Sequence, residues 1–153
     1  MADTSLNENR LALLIWQTSN LCQSKVRQKL KENKSTLNEY LILETIYLLQ
    51  QENVNITQQD ICKNASIDRS VVSLRVSKLE EKNLISKQQP QDKRSDSLIL
   101  TAAGNELINN IIDNVVDLEN ELFNKLGSEI FNFTNSLKLL LGKKIRIRAK
   151  LND

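Results

Sequence analysis

Turn-forming residues are scarce in this chain: its 153 residues include three glycines and one proline. Tight turns and sheets depend on these residue types, so their scarcity predicts a mostly helical fold. A length of 153 residues suits one domain with its own hydrophobic core. The sequence therefore predicts a single, mainly α domain over residues 1–153, with room for only a small amount of sheet.

Bulk composition narrows the class of protein. Apolar residues make up 40% of the chain and charged residues 26%, which is typical of a globular protein in water. No apolar run approaches the ~20 residues that span a bilayer, and the N-terminus lacks the pattern of a secretory signal. Cys22 and Cys62 are too few for a disulfide framework, so we expect a reducing cytoplasm and no membrane partner.

Histidine is absent from the chain, which removes the commonest general base and metal ligand. The sequence also contains no glycine-rich phosphate loop, no Cys/His metal spacing and no nucleophile elbow. We therefore expect neither an enzyme nor a metal or cofactor site.

Positive charge is concentrated in two segments. Residues 63–94 contain eight Lys/Arg against four Asp/Glu, residues 143–150 contain five Lys/Arg and no acid, and the rest of the chain sums to −7. Such clustering is expected where a polyanion docks, and a chance cluster on a solvated face is the alternative. For the tail at 143–150 we favour a solvated helix end over an extended DNA contact.

Apolar residues at three- and four-residue steps predict long helices over 11–30, 37–50 and 102–126, and a last helix after Gly127. Two short helices, 58–64 and one running to about 82, are joined by a few residues, as in a helix-turn-helix. The proposed caps are Ser35 or Thr36, Thr57 with Asp60, Ser66 or Asp68, Thr101, and Ser128.

A hairpin is predicted directly after the second short helix. Residues 84–88 and 97–100 read as antiparallel strands around the polar loop 89–96, whose basic tip is typical of a wing. The predicted fold class is mainly α with a small β-hairpin: a winged helix-turn-helix core over residues 35–101, flanked by long dimerisation helices at 7–32 and 102–151.

The terminal helices are more apolar than a domain of this size needs for its own core. This surplus predicts burial against a second copy of the chain. The residues expected at that homodimer interface are Leu11, Leu14, Ile108, Ile111, Val115, Ile130, Phe133, Leu137 and Leu140.

Two motifs carry a resemblance to a known family. Residues 68–85, DRSVVSLRVSKLEEKNLI, resemble the recognition helix of MarR-type regulators and its Leu-Glu-x-x-Gly-Leu-Ile exit. Residues 92–104, DKRSDSLILTAAG, resemble the wing signature of that family, an Asp-x-Arg followed by a strand and a Leu-Thr-x-x-Gly helix start. The order of helices and hairpin matches the MarR layout over essentially the whole chain.

The MarR resemblance implies a homodimeric transcriptional regulator, a repressor by preference, in a bacterial or archaeal cytoplasm and associated with the nucleoid. It implies binding to double-stranded DNA with the recognition helix in the major groove and the wing in the minor groove. It also implies a small-molecule effector between the dimer helices and the DNA-binding lobe. Trp16, Tyr40 and Tyr47 are the aromatic residues available there, and a core position is the favoured alternative for all three.

The outward face of the second short helix supplies the candidate DNA contacts. With Val72 at the centre of the buried face, Ser70, Leu74 and Ser77 point outward at 100° per residue. An ordinary amphipathic helix with a polar outside is the alternative. The predicted DNA-contacting residues are Thr57, Gln58, Ser66, Asp68, Arg69, Ser70, Ser73, Leu74, Ser77, Lys87, Asp92, Lys93 and Arg94.

Arg94 is the leading candidate among them, because an arginine at a wing tip suits the negative potential of a narrow minor groove.

Two positions depart from the MarR pattern. Asn83 replaces the usual glycine, and Asn tolerates the left-handed backbone of a helix C-cap. Leu74 stands where MarR proteins often carry Arg or another polar residue, so it either touches a thymine methyl or weakens base readout. A winged-helix module that binds a protein partner is the alternative function.

Overall fold

The computed structural model describes residues 9–52, 55–88 and 97–146. The chain folds into two compact units. The first unit ends at Leu118 and the second begins at Glu119. The helices and strands, in chain order, are α1 (Leu11–Leu30), α2 (Leu37–Leu49), α3 (Gln58–Ala65), α4 (Arg69–Glu81), β1 (Ile85–Gln88), β2 (Ser97–Leu100), α5 (Ala102–Phe123) and α6 (Ile130–Leu140). Short 3-10 helices follow α1 at Lys31–Asn33 and precede α6 at Asn124–Glu129. The predicted fold class, mainly α with one β-hairpin, is confirmed.

The core of the first unit surrounds α2. Buried apolar residues from α1, α3, α4, both strands and α5 join those of α2 in one cluster. In α4 the buried residues are Val72, Val76 and Leu79, the stripe that the periodicity predicts. Burial of a Leu, Ile or Val side chain stabilises a fold by about 1.5–3 kcal/mol, so this cluster fixes the positions of the surrounding elements.

Three residues predicted at a dimer interface belong to this core instead. Ile108, Ile111 and Val115 of α5 are at most 1% exposed and pack within the cluster of the same chain. They have no surface left for a second copy, so their predicted role at an interface is corrected. A stripe at helical spacing shows which face of a helix is buried, and it does not identify the partner that buries it.

Side-chain caps begin α2 and α3 as predicted, whereas the predicted side-chain cap of α4 is not formed. Thr36 Oγ1 accepts a hydrogen bond from the backbone N–H of Glu39 at 3.2 Å and starts α2. Thr57 and Asp60 form a reciprocal capping box at α3: Asp60 N–H donates to Thr57 Oγ1 at 3.2 Å, and Thr57 N–H donates to Asp60 Oδ2 at 2.9 Å. Asp68 is the N-cap residue of α4 but makes no side-chain capping bond.

The exit from α4 has the geometry of a Schellman motif. Asn83 takes a left-handed backbone with φ 57°. Its N–H donates to the Glu80 carbonyl, and Leu84 N–H donates to the Leu79 carbonyl, both at 2.9 Å. These bonds satisfy the last carbonyls of α4 and turn the chain into β1. Asparagine thus replaces the glycine of the family pattern without loss of the turn.

The hairpin is antiparallel and pairs Ile85 with Leu100 and Gln88 with Ser97. It is anchored to the segment before α3, since Leu98 N–H donates to the Ile56 carbonyl at 2.7 Å. Its loop, residues 89–96, lies outside the described residues, and so do the predicted wing-tip residues Asp92, Lys93 and Arg94. Their roles stay predictions.

Thr101 joins the hairpin to the start of α5. Its hydroxyl donates to the Asn83 carbonyl at 2.7 Å and accepts from Gly104 N–H at 3.0 Å, as a helix cap does. Its own N–H donates to the Leu84 carbonyl at 3.1 Å. The Leu84 carbonyl lies so close to Gly104 that a Cβ at that position would overlap with its oxygen. Glycine is therefore required in the Leu-Thr-x-x-Gly sequence by this close approach.

In the second unit the start of α6 differs from the prediction. Ser128 was the predicted cap, but α6 begins at Ile130 after Glu129, and its first turn has no side-chain cap. Gly127, with φ 54° and ψ −127°, breaks the path of the chain within the preceding 3-10 segment. The unusual backbone at Gly127 sets the entry into α6, so no hydroxyl cap is needed to redirect the chain.

The basic tail does not continue α6. Gly142 is left-handed after Leu141, and Asn135 holds the returning chain by accepting from Arg146 N–H at 3.1 Å and donating to its carbonyl at 2.7 Å. Residues 143–146 are thus not a helix end, and residues 147–150 lie outside the described part. Within the described ranges, no helix is long and apolar enough to cross a membrane.

Gly104→Ala tests the junction between Leu84 and α5. Alanine at an exposed mid-helix position normally stabilises by about 1 kcal/mol relative to glycine. Here we expect the opposite sign, a loss of about 1–3 kcal/mol from overpacking, measured as the free energy of unfolding in urea. The matched control is Ala103→Gly on the exposed side of the same turn, with an expected cost of about 1 kcal/mol. A more stable Gly104→Ala variant would contradict the close approach.

Candidate nucleic-acid interface

The turn between α3 and α4 consists of Ser66, Ile67 and Asp68. Ser66 ends α3 in the left-handed region, with φ 52° and ψ 46°. Asp68 is extended, and its carbonyl accepts from Val72 N–H at 3.0 Å to open α4. Ser66 and Asp68 are both exposed at the start of α4. The turn therefore ends α3 and leaves the N-terminus of α4 accessible.

The outward face of α4 contains the residues predicted from its periodicity. Ser70, Leu74 and Ser77 are exposed on the side away from the buried stripe, and Arg69 and Ser73 are exposed at its shoulder. The Ser77 hydroxyl donates back to the Ser73 carbonyl at 3.1 Å, and 56% of the Leu74 side-chain surface is exposed. The structure brings these five side chains together on one accessible helix face.

A buried carboxylate that the sequence reasoning missed holds α4 against α2. Glu39 of α2 is only 3% exposed. Its Oε2 lies 2.8 Å from Lys82 Nζ, and its Oε1 lies 3.6 Å from Arg75 Nη1. Arg75 also has a buried Nε that finds no hydrogen-bond partner among the described residues. We call this group, Glu39 with Arg75 and Lys82, the Glu39 clamp.

No local signal in the sequence identifies the Glu39 clamp. Glu39 lies three residues after the cap Thr36, where a glutamate is ordinarily part of a capping box. Its side chain instead reaches across to α4, 36 and 43 residues further along the chain. The clamp also engages two of the cations of the basic segment, which leaves Arg69 and Lys78 as the exposed long cations of α4.

The other cations near α4 are in exposed pairs. Lys78 Nζ lies 3.6 Å from Glu81 Oε2, and Lys87 Nζ of β1 lies 3.9 Å from Glu80 Oε1. Exposed pairs contribute about 0–1 kcal/mol, so such a lysine exchanges its partner readily for a phosphate. Lys87, a predicted phosphate contact, is therefore placed where that exchange is possible.

The start of α3 is occupied by its own cap. The Thr57 hydroxyl both accepts from Asp60 N–H and donates to Asp60 Oδ2, at 3.2 and 3.0 Å. The cap interpretation of Thr57 is the one that the structure supports. Gln58 is half-buried at the first position of the helix, and the carboxylate of Asp60 lies close by. A phosphate at this end would have to bind near that negative charge.

The three aromatic residues proposed for an effector site are in different environments. Tyr40 is 1% exposed in the core, and Tyr47 is half-buried against it. Trp16 is exposed on α1, with the Arg10 guanidinium 5.4 Å from its ring centre. An open hollow of about 210 Å³ is lined by Lys25, Gln28, Lys29, Glu32 and Leu118, none of them aromatic. Tyr40 is thus a core residue, the favoured alternative.

Two short helices, a three-residue turn and an antiparallel hairpin after the second helix define a winged helix-turn-helix protein. Residues 35–95 match the model of the MarR family. This match confirms the resemblance to the MarR family seen in the two sequence motifs. No curated protein sequence matches the chain.

Solved structures similar to this chain include MarR-type regulators. A Staphylococcus aureus MepR–DNA complex has a TM-score of 0.78 at 26% identity, with 89% of this chain and 97% of that chain covered. A MarR-family regulator from Rhodococcus sp. RHA1 has a TM-score of 0.77 at 15% identity, with 91% and 97% covered. Bordetella bronchiseptica BpsR, whose DNA binding is regulated by 6-hydroxynicotinic acid, has a TM-score of 0.74 at 15% identity, with 88% and 99% covered. At 15% identity the last two show the fold alone.

Glu39→Gln tests the Glu39 clamp. The substitution keeps the shape of the side chain but removes the charge that pairs with Arg75 and Lys82. We expect a loss of about 1.5–3 kcal/mol in the free energy of unfolding, the usual size for hydrogen bonds to a charged group. The matched control is Glu81→Gln, which breaks the exposed pair with Lys78 and should change stability by less than about 0.5 kcal/mol. Equal effects of the two changes would show that the clamp does not hold α4.

Proposed function

We propose that this chain binds double-stranded DNA in a sequence-specific manner as a homodimer and represses transcription at the bound site. The observation that carries the proposal is the accessible, polar outward face of α4 within a winged-helix region that matches the MarR family. The 26% identical MepR, which was crystallised with DNA, supports the same activity for this chain. In this proposal α4 enters the major groove and the wing enters the minor groove.

The dimensions of α4 suit a major groove. Its 13 residues give a length of about 20 Å at 1.5 Å per residue, and a helix of about 10–12 Å diameter fits a groove about 12 Å wide. The residues at its N-terminal end and outward face would approach the base edges: Ser66, Asp68, Arg69, Ser70, Ser73, Leu74 and Ser77. Arg69 can pair with a guanine edge or with a phosphate.

The phosphate backbone would be met by cations beside α4. Lys87 on β1 is paired only with the half-exposed Glu80, and phosphate can displace that partner. Lys93 and Arg94 extend this contact in the proposal, with Arg94 in the minor groove and Asp92 orienting its guanidinium. Each neutralised phosphate releases counterions, so binding should weaken steeply as salt is added.

The homodimer is supported by apolar surface that the chain leaves uncovered. On α1, Leu11 is 76% exposed and Leu14 is 40% exposed. On α6, Ile130, Phe133, Leu137 and Leu140 are all at least one-third exposed. Six of the nine residues predicted for the interface thus remain available to a second copy. In a symmetric dimer, two recognition helices would read half-sites about one helical turn apart.

A small-molecule effector is part of the proposal, because the MarR resemblance implies one. Trp16 and Tyr47 keep accessible aromatic surface, unlike Tyr40, so they are the side chains left for such a ligand.

A winged-helix module that binds a protein partner is the competing function. Titration of the purified chain against the DNA upstream of its own gene, and against a scrambled duplex, separates the two at rising salt. Specific binding that persists at physiological salt, with two chains per site, is the expected result. Weak binding that disappears equally for both duplexes would reject the DNA-binding proposal in favour of a protein partner.

Ser70→Glu tests whether the outward face of α4 contacts DNA. The new carboxylate would face the bases and phosphates, so affinity should fall by more than about tenfold while the unfolding transition stays unchanged. Asn109→Glu, on the exposed side of α5, adds the same charge away from α4 and should keep the affinity of the unaltered chain. Equal affinities of the two variants in fluorescence anisotropy would exclude this face from the interface.

Leu14→Glu tests the apolar face of α1. A charge buried between two copies should raise the dimer dissociation constant by at least roughly thirtyfold, the equivalent of about 2 kcal/mol. The comparison variant is Leu48→Glu, because Leu48 of α2 is 52% exposed but is not part of the proposed interface. Sedimentation equilibrium gives the dissociation constants. A dimer that is equally strong in both variants would place the interface elsewhere.

A further inference from the structure

An apolar side chain lies at the centre of the outward face of α4. Leu74 is 56% exposed; the exposed serines Ser70, Ser73 and Ser77 lie on one side of it, and the exposed Lys78 lies one turn after it. Serine side chains are short, so Leu74 protrudes beyond all three of them. A surface that approaches these three serines closely therefore meets the Leu74 methyl groups before it meets the serine hydroxyls.

The longer polar side chains of α4 are directed to other partners. Arg75 and Lys82 belong to the Glu39 clamp, and Lys78 pairs with Glu81. The Ser77 hydroxyl gives its proton to the Ser73 carbonyl. Among the long donors near α4, Arg75 and Lys82 are therefore held by the clamp, Arg69 lies at the first position, and Lys78 remains in an exposed pair that a phosphate can displace.

From this arrangement we propose that Leu74 reads the C5 methyl group of thymine in the major groove; the inference rests on the proposed DNA-binding function. The thymine methyl is the apolar group among the major-groove base edges, whereas the other edges present hydrogen-bond donors and acceptors. A leucine pressed against those edges would strip them of water without replacing the hydrogen bonds, which is unfavourable. Leu74 thus favours thymine and disfavours cytosine at the same position.

The neighbouring serines strengthen this selection. Their small size lets the axis of α4 come close to the base pairs, and a close approach is needed for van der Waals contact with a methyl group. The hydroxyls of Ser70 and Ser73 rotate and both donate and accept, so they adapt to the bases beside the thymine, whereas the Ser77 hydroxyl donates to the Ser73 carbonyl and is left to accept. The outward face of α4 therefore combines an apolar side chain that prefers thymine with serine hydroxyls that accept several bases.

Replacement of thymine by uracil removes this methyl group and leaves the base pairing intact. Duplexes bound by the full-length chain are first selected from a random library of short double-stranded DNA. One enriched duplex is then made with thymine and with uracil, and both forms are titrated against the unaltered chain and Leu74→Ala. The matched control is Leu48→Ala, which shortens an equally exposed leucine on α2.

We expect the unaltered chain and Leu48→Ala to bind the uracil duplex about fourfold more weakly for each contacted methyl. Leu74→Ala should bind both duplexes equally, at the affinity of the unaltered chain for the uracil form. Equal affinity of the unaltered chain for the two forms would overturn the inference and leave the proposed function intact. A thymine preference that persists in Leu74→Ala would also overturn it, because DNA shape would then be the cause. If no sequence is enriched, the proposed function fails, and the inference fails with it.

Discussion

The burial of α2 is the constraint on which the rest of the first unit depends. This helix packs against α1, α3, α4 and β2, and it contributes Tyr40, Ile42, Leu43 and Ile46 to the core. A helix with neighbours on several sides must be apolar around most of its circumference. The elements of the winged-helix region share this one surface, so the position of α4 relative to the hairpin is set by how each packs on α2.

The Glu39 clamp adds a directional interaction, an ion pair, to the packing of α4 on α2. The hydrophobic effect is not directional, so an ion pair adds a geometric requirement that the apolar contacts between α2 and α4 do not contain. A carboxylate that is 3% exposed and lies 2.8 Å from Lys82 requires one arrangement of α4 on α2. Arg75 and Lys82 of the basic segment therefore orient α4, and the remaining cations of that segment are available to phosphate. The net charge of that segment alone does not reveal this division.

Local chemistry explains how much of the fold was predictable. The capping box at Thr57, the cap at Thr101, the left-handed Asn83 and the buried stripe of α4 all follow from neighbours within a few residues in the sequence. Features that depend on distant partners were missed or misassigned. Glu39 pairs across more than 35 residues, and the α5 stripe at 108–115 fits a core as well as an interface. Periodicity identifies a buried face, and only the tertiary structure identifies its partner.

The Glu39 clamp also limits which side chains could reach the bases in the proposed function. Because Arg75 and Lys82 are held by Glu39, they cannot also span the distance from a remote helix to the bases. If α4 is the recognition helix, an apolar contact from Leu74 requires the helix to come close to the groove, and a close approach requires small side chains beside Leu74. Three serines beside an exposed leucine satisfy that requirement. Under the proposed function, the departure from the family pattern at Leu74 is consistent with a helix that the Glu39 clamp holds on its buried side and that would read bases by apolar contact on its exposed side.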